Sequence, residues 1–333
     1  MDAKRDFVPL STNALMRHLR VNGVAISGSS DKRKLQNIGY YHGYKGYRFA
    51  RERRNQLPIS SFEQIQSLYS FDMELKTVFY PRIMQIETSL KSRILDVICS
   101  RLSEDKRSAS YDVVCSTCLT GLGAKEQYRE LSFMAGKIAK QSSNNGDPVI
   151  KHFTDGSRDV PIWALLETLT LGEFSTIYSC LTPELKELVY EQLGMPPRSN
   201  DPTSPKSKRE DILLALLWVL ARLRNSVAHN DVILDARFTV RNQPSKFARE
   251  YLGQSFGIDP VPFSQIADCM LLMVFFMTAL GYSKKERKKF VLDYARVLET
   301  YSSDRLPDEI FHKVIGRSDV LKIKAALAYV SRN

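Results

Sequence analysis

One short run of this 333-residue chain combines groups that can act on a phosphate ester. It reads Arg224-Asn225-Ser226-Val227-Ala228-His229. An imidazole exchanges protons near neutral pH, and a guanidinium can hold a phosphate through two hydrogen bonds and stabilise its growing charge. RNA supplies the missing nucleophile as its 2′-hydroxyl, so this set suits cleavage to a 2′,3′-cyclic phosphate without a metal or cofactor. A simpler interpretation stays open, in which the Arg and His only solvate a helix end, where cations are favoured.

The helix that carries this run is predicted to span residues 209–229. At about 100° per residue, Arg222, Asn225 and His229 share one face and Arg224 lies at its edge. The opposite face is an apolar stripe made of Leu213, Leu216, Leu220, Leu223 and Val227. The polar groups therefore point away from the helix's own core. Left alone they would be an ordinary solvated face, and covered by another helix or a second subunit they would line a pocket. We expect a second copy to cover them, as in a homodimer.

Helix signals dominate the rest of the chain, and the predicted fold class is all-α. Capping signals, with an N-cap residue followed by Glu, Gln or Pro, occur at Ser61/Gln64, Thr182/Pro183, Ser207/Glu210 and Ser283/Glu286. Val232–Val240 is the best candidate for a short extended piece. Ser103–Gly123 resembles a long polar connection. A soft boundary near residue 60 divides an N-terminal segment, 1–60, from a helical body, 61–333.

The composition indicates a soluble protein with a polyanionic partner. The net charge is +11, which favours nucleic acid first and an anionic membrane surface second. The most apolar stretch, Cys269–Leu280, is too short to span a bilayer, so no membrane partner is expected. Five cysteines in a chain of this length, with no leader segment, favour a reducing, cytoplasmic location. Cys115 and Cys118 form a lone C-x-x-C without a second pair, so no metal site is expected.

Four stretches together resemble a known family. The run RNSVAHN is similar to the R-x(4–6)-H motif of HEPN-type ribonucleases. Three others resemble the Abi (abortive infection, AbiD/AbiF-like) family: LQNIGYYHGYKGYRFARE at Leu35–Glu52, the segment Ser61–Ile94, and PIWALLETLTLGEFSTIYSCL at Pro161–Leu181. They occur in the family's order and span roughly residues 10–240.

This resemblance implies a HEPN-like helical bundle with an N-terminal helical extension. It implies a role in phage defence or toxin–antitoxin behaviour, with a cognate small noncoding RNA as a candidate partner. His229 would act as the general acid and base, Arg224 as the phosphate clamp and Asn225 as a positioning group. Many family members continue the motif with a second His and an Arg. Here Asn230 and Asp231 follow, so the substrate contact is either absent or made by Arg237 or Arg241.

Glu87 is the candidate supporting residue. It falls at the edge of an apolar helix face between Ile83 and Leu90, and a carboxylate there needs a cation. The resemblance implies that it orients Arg224 from a neighbouring helix. A salt bridge to Lys91, four residues further on, is the equal alternative.

Two basic stretches are candidates for RNA contact. In the first, Tyr and Phe residues interleave with cations, as unpaired RNA requires, although we expect most rings to point inward. The second opens a helix with five cations, and its simpler interpretation is a solvated face. The predicted RNA-binding residues are Tyr44, Lys45, Tyr47, Arg48, Arg51, Arg53, Arg54, Arg222, Arg237, Arg241, Lys284, Lys285, Arg287, Lys288 and Lys289.

Three functions follow as hypotheses. The first is a metal-independent endoribonuclease of phage defence. The second is an RNA-binding protein of a defence ribonucleoprotein that holds a structured small RNA with little or no cleavage. The third is a scaffold for a phage or host protein, which would bind no RNA even at low salt.

Overall fold

The computed structural model describes residues 9–121, 124–141, 146–156, 158–196, 211–303 and 305–333, and within these ranges it contains helices and no β-strand. The all-α prediction is confirmed. The first nine α-helices are α1 (Thr12–Val21), α2 (Gly28–Ile38), α3 (Phe62–Glu104), α4 (Tyr111–Thr117), α5 (Ala124–Gln141), α6 (Pro148–Thr154), α7 (Ile162–Thr168), α8 (Leu171–Cys180) and α9 (Pro183–Gln192). The next six are α10 (Ile212–Ala228), α11 (Lys246–Phe256), α12 (Ile266–Ala279), α13 (Lys284–Ser303), α14 (Asp308–Ile315) and α15 (Asp319–Arg332).

The 43-residue helix α3 is the spine of the molecule, about 65 Å long at the usual rise per residue. It begins with the predicted capping box, in which Ser61 accepts from the backbone of Gln64 and the Gln64 side chain accepts from the backbone of Ser61. The helix continues without a break through Pro81. Helices α7, α8, α9, α10, α12 and α13 all contact it.

Helix α10 lies in the centre of the bundle, against α3, α8, α11 and α12. All five residues of the predicted stripe are buried: Leu213, Leu216, Leu220, Leu223 and Val227. The helix starts later than expected, because Asp211 is its N-cap and accepts from the backbone of Leu214 at 3.0 Å. Ser207 and Glu210 lie outside the described residues.

Two expectations about irregular segments are wrong. Val232–Val240 is not extended; it forms turns and a short 3₁₀ helix, Arg237–Thr239. The Ser103–Gly123 connection contains α4, which buries Tyr111 and Val114 against the core. In the first case, the buried side chains of Asp72 and Asp235 accept hydrogen bonds from three backbone amides of the segment, those of Ile233, Leu234 and Arg237. In the second, a few apolar residues suffice to fix one short helix.

The N-terminal segment folds onto the start of α3. A small apolar cluster joins α1, α2 and the first turns of α3, and its buried members are Met16, Leu19, Val24, Ile26, Leu35, Tyr44, Phe62 and Ile65. A π-helical turn, Tyr40–Lys45, follows α2. Beyond it, Tyr47, Ala50 and Leu57 join the main core. No helix in the described part of the chain is both long and apolar enough to cross a membrane.

Candidate active site

The motif occupies the last turn of α10, and the residue after it ends the helix. Asn230 adopts a left-handed backbone conformation with φ 58°. The amide of Asp231 donates to the carbonyl of Ser226 at 2.8 Å, and the amide of Asn230 donates to that of Val227 at 3.3 Å. This is a Schellman motif with Asn in the position that usually holds Gly. His229 is consequently the C-cap of α10.

Asp72 of α3 holds the loop that follows the motif. Its carboxylate is fully buried and accepts hydrogen bonds from the backbone amides of Ile233, at 2.9 Å, and Leu234, at 3.0 Å. The hydroxyl of Tyr47 donates to the same carboxylate at 2.9 Å. One side chain of the spine thus joins the N-terminal segment to the loop after His229.

Lys76 completes this cluster from the next turn of α3. Its ammonium lies 2.6 Å from Asp72 and donates to the side chain of Asn230 at 2.7 Å. Burial raises the pKa of Asp72, and the charge of Lys76 opposes that effect. Burial also raises the pKa of Tyr47 well above its ordinary value, so its hydroxyl stays protonated and donates. This cluster was not identified from the sequence. Asp72 lies on the apolar face of α3, and a carboxylate in such a position indicates that a buried partner is needed.

Glu87 contacts both of the partners considered for it. Its carboxylate accepts from Nε of Arg224 at 3.3 Å and lies 3.0 Å from Nζ of Lys91. Lys91 in turn donates to the carbonyl of Leu169 at 2.6 Å. The Glu87 side chain is only 9% exposed, and that of Arg224 is 24% exposed. The carboxylate of Glu87 therefore pairs with Lys91 on its own helix, α3, and also accepts from Arg224 of α10.

The guanidinium of Arg224 is held on two sides and open on a third. Nε contacts Glu87, and Nη1 donates to Oδ1 of Asn225 at 3.2 Å. Nη2 makes no hydrogen bond to any residue that the structure describes. Asn225 and His229 are exposed on the same face, and the imidazole has no side-chain partner among the described residues. The arrangement presents an amide, an imidazole and one free edge of a guanidinium to solvent.

A family comparison covers this region. The family model described as Abi-like protein matches residues 33–235, well over half of the chain. The chain belongs to the Abi-like protein family. No solved structure matches it. The family match includes the motif, Glu87 and the Asp72 cluster, and it points to a role in abortive infection, a defence against phage.

The matched part ends at a second buried carboxylate, Asp235. The guanidinium of Arg237 contacts both of its oxygens, the shorter distance being 2.8 Å, and also donates to the carbonyls of Gly46 and Phe49 at 2.8 and 2.9 Å. The backbone amide of Arg51 donates to Asp235 as well, and its guanidinium donates to the carbonyls of Asp235 and Ser264. Two of the predicted RNA-binding arginines thus have internal partners that join residues 46–51 to the loop after α10.

The other predicted RNA-binding residues differ in exposure. Tyr44, Tyr47 and Arg287 are buried. Lys45 lies over the rings of Tyr40 and Tyr41, and Arg222 donates to the carbonyl of Asn242. Arg48 is half-buried. The exposed cations of the set are Arg53, Arg54, Arg241, Lys284, Lys285, Lys288 and Lys289. The structure does not gather these into the motif; four of them lie on α13, outside the family match.

No group of three His, Cys, Asp or Glu side chains is placed to hold a metal ion in the ranges that the structure describes. Cys115 and Cys118 are free thiols, half-buried and buried. Burial raises the pKa of Cys115 to about 11, so this thiol is held in its protonated, poorly nucleophilic form.

Proposed function

We propose that this protein is an RNA-cleaving effector of phage defence whose site is Arg224, Asn225 and His229. One observation carries the proposal: the guanidinium of Arg224 is fixed by the buried carboxylate of Glu87, yet keeps a free edge beside an exposed amide and an exposed imidazole. By contrast, all three nitrogens of the Arg237 guanidinium are paired, with Asp235 and with the carbonyls of Gly46 and Phe49.

Each group has a role in this reaction. The imidazole of His229 takes the proton of the 2′-hydroxyl, and the 2′-oxygen attacks the adjacent phosphorus. The bond from phosphorus to the 5′-oxygen breaks, and the leaving oxygen takes a proton from the imidazolium. The products are a 2′,3′-cyclic phosphate and a 5′-hydroxyl. Arg224 stabilises the charge that grows on the phosphoryl oxygens, and Asn225 positions the guanidinium through its Oδ1 atom.

A second copy of the chain would complete the site. The polar face of α10 is open to solvent, and a catalytic site functions best where water is excluded. We propose a homodimer in which the two motifs face each other and share the site, so that His229 of one copy works with Arg224 of the other. Mixing a His229→Ala chain with an Arg224→Ala chain then restores part of the cleavage that each has lost.

The test is cleavage of single-stranded RNA by pure protein in EDTA, with the ends identified by mass spectrometry. His229→Ala lowers the rate by about 100-fold or more, as loss of a general acid and base does. The matched control is His312→Ala, because His312 is also an exposed imidazole in the last turn of a helix, α14. Arg224→Lys restores little of the cleavage that Arg224→Ala loses, because an ammonium cannot replace the planar, two-pronged guanidinium. Equal activity of wild type and His229→Ala would refute the assignment.

The unpartnered imidazole of His229 favours a second candidate, an RNA-binding protein that cuts little or nothing. General bases are commonly oriented by a hydrogen bond to the other ring nitrogen, and His229 has no such partner in the described chain. In this case wild type and His229→Ala both bind RNA and neither cleaves it. Copurification with a defined small RNA would support this candidate directly.

A further inference from the structure

A cleft lies beside α10, upstream of the motif. It is bounded by the outer face of α10 and by the segment 242–245 that leads into α11, and its volume is 270 Å³. This is below the roughly 300–1,000 Å³ of pockets that take drug-sized ligands. It therefore suits one flat ring system.

Trp218 provides an aromatic wall of this cleft. Its side chain is among the exposed large apolar ones, at 37%. The benzo edge of the indole lies beside α8, where a methyl group on Gly172 would be 3.8 Å from Cζ3. The indole N–H makes no hydrogen bond to any described residue. The ring therefore offers an open surface and a donor that no described residue uses.

Polar groups surround the ring. Arg222 donates to the carbonyl of Asn242, which fixes the guanidinium at the cleft, and burial lowers its pKa. The side chains of Asn242 and Gln243 are exposed there. Amide side chains both donate and accept, and a guanidinium plane stacks on bases as an aromatic ring does. An aromatic ring, a guanidinium and two amides are the groups with which proteins recognise an unpaired base.

The cleft and the motif lie on one line. Trp218, Arg222, Asn225 and His229 are spaced at i, i+4, i+7 and i+11, so they share one face of α10. Trp218 precedes Asn225 by seven residues, about 10 Å along the axis. A strand whose phosphate lies at Arg224 therefore has a neighbouring nucleotide within reach of the cleft.

We propose that this cleft binds one unpaired nucleobase of the RNA strand, stacked on Trp218, and so selects the sequence at which the site acts. This inference rests on the proposed function, because the same strand must reach both places. It assigns to Trp218, Arg222, Asn242 and Gln243 the recognition of a base rather than any part in the chemical step.

Trp218 fluorescence provides a direct measurement. The chain has two tryptophans, and Trp163→Phe leaves Trp218 as the only one. Trp163 is also exposed but lies on α7, away from the cleft. The probe is a single-stranded RNA of about 12 nucleotides with 2′-O-methyl sugars, which 2′-oxygen attack cannot cleave. Its binding is followed separately by anisotropy of an end label, so that binding and stacking have independent readouts.

Stacking quenches Trp218 emission with the same midpoint as the anisotropy change. Trp218→Ala raises Kd by about 5- to 150-fold, the usual worth of a base on an aromatic ring, and Trp218→Phe raises it less. Trp163→Ala leaves Kd within about twofold and is the matched control. The order of affinity for oligomers of A, C, G and U changes in Asn242→Ala.

Three results would overturn the inference. Binding without quenching, or with equal Kd for wild type and Trp218→Ala, removes the base from the cleft and leaves the proposed function intact. If Trp218 emission per chain falls as the protein concentration rises in the absence of RNA, a second copy of the chain covers Trp218 instead of a base. No anisotropy change at low salt refutes RNA binding itself, and with it both proposals.

Discussion

Two basic stretches that look alike in the sequence are used differently in the structure. In residues 45–54, Arg51 is committed to internal carbonyls and Asp235, and Lys45 lies over tyrosine rings. In residues 284–289, only Arg287 turns inward, where it donates to Thr278 at 2.8 Å. Lys284, Lys285, Lys288 and Lys289 stay exposed. The first stretch is mainly a joint between segments, and the second is mainly a charged surface.

The difference arises from regular structure. In α13 the positions i, i+1, i+4 and i+5 share one outer face, so four lysines stay exposed while the fourth residue of the run points inward. Two of these lysines also have a partner nearby: Lys284 donates to the carbonyl of Ser331, and Lys289 pairs with Asp293. The first stretch has no such repeat, and each cation follows the local path of the backbone. A count of cations therefore overestimates the free charge of an irregular segment more than that of a helix.

The largest expected effect is on stability, and it comes from the contacts between residues 46–51 and the loop after α10. Arg237→Ala removes the partner of the buried Asp235 carboxylate and frees the carbonyls of Gly46 and Phe49. We expect the free energy of unfolding to fall by about 3 kcal/mol, because a buried charge loses its partner. Urea unfolding followed by circular dichroism measures the change.

Arg241→Ala is the control, since Arg241 lies four residues further on and is exposed. Its effect should stay within about 0.5 kcal/mol. A loss for Arg237→Ala as small as that expected for Arg241→Ala would show that Asp235 does not depend on Arg237.

The next effect concerns α15, which packs against α13, the helix that carries the exposed lysines. Burial raises the pKa of Asp319, at the start of α15, to about 7, although Lys322 opposes the shift. The folded protein therefore holds a proton that the unfolded chain has lost above about pH 4. Stability falls as the pH rises from about 4 to about 7 and stays reduced above that.

Asp319→Asn removes this dependence. We expect it to raise the free energy of unfolding at pH 8 by on the order of 2–4 kcal/mol and to leave it nearly unchanged at pH 4. Denaturant unfolding at a series of pH values measures this. Asp308→Asn, at an exposed position in α14, is the control and should leave the pH profile unaltered. A wild-type profile that is flat between pH 4 and 7 would contradict the expectation.

The smallest effect concerns RNA affinity and depends on the proposed function. Each lost contact between a cation and a single-stranded phosphate lowers the slope of log Kobs against log salt by about 0.7. Changing the four exposed lysines of α13 to Gln lowers the slope by up to about 3, and less if Lys289 stays with Asp293, 2.5 Å away. Changing Arg53 and Arg54 lowers it by at most about 1.4, and less if Arg54 stays with Glu52, 2.6 Å away. Anisotropy titrations at several salt concentrations measure both, and a larger change from the arginine pair would reverse the comparison.

Local signals were sufficient for most of the fold. Ser61 with Gln64, and Thr182 with Pro183, cap helices where the sequence predicts them. Pro81 lies inside α3, although a proline usually ends or kinks a helix. Here Pro81 is exposed while Phe79 and Ile83 are buried, so the packing of the apolar face keeps α3 continuous.

The candidate site was predictable only in part. The apolar stripe and the exposed face of α10 follow from helical periodicity, and the contact from Glu87 to Arg224 was one of two alternatives. Asp72 and Asp235 were not found, because the distant backbone amides that they hold, those of Ile233 and Arg51, lie 161 and 184 positions away in the chain. The same two carboxylates help to explain why Val232–Val240 does not pair as a strand: they accept from the amides of Ile233, Leu234 and Arg237, and local turns take up the amides of Ala236, Thr239 and Val240.

The Asp72 cluster also sets an order of events during synthesis. Asp72 is translated 161 positions before Ile233, whose amide it holds. At about 5–20 residues per second, the spine waits roughly 10–30 s for the segment that fixes the end of α10. The first half of the chain therefore emerges before the motif is synthesised, and the Asp72 carboxylate stays in water until Ile233 and Leu234 follow. A chain that ends before residue 233 lacks both amides that Asp72 holds, so the loop that fixes His229 cannot form in it.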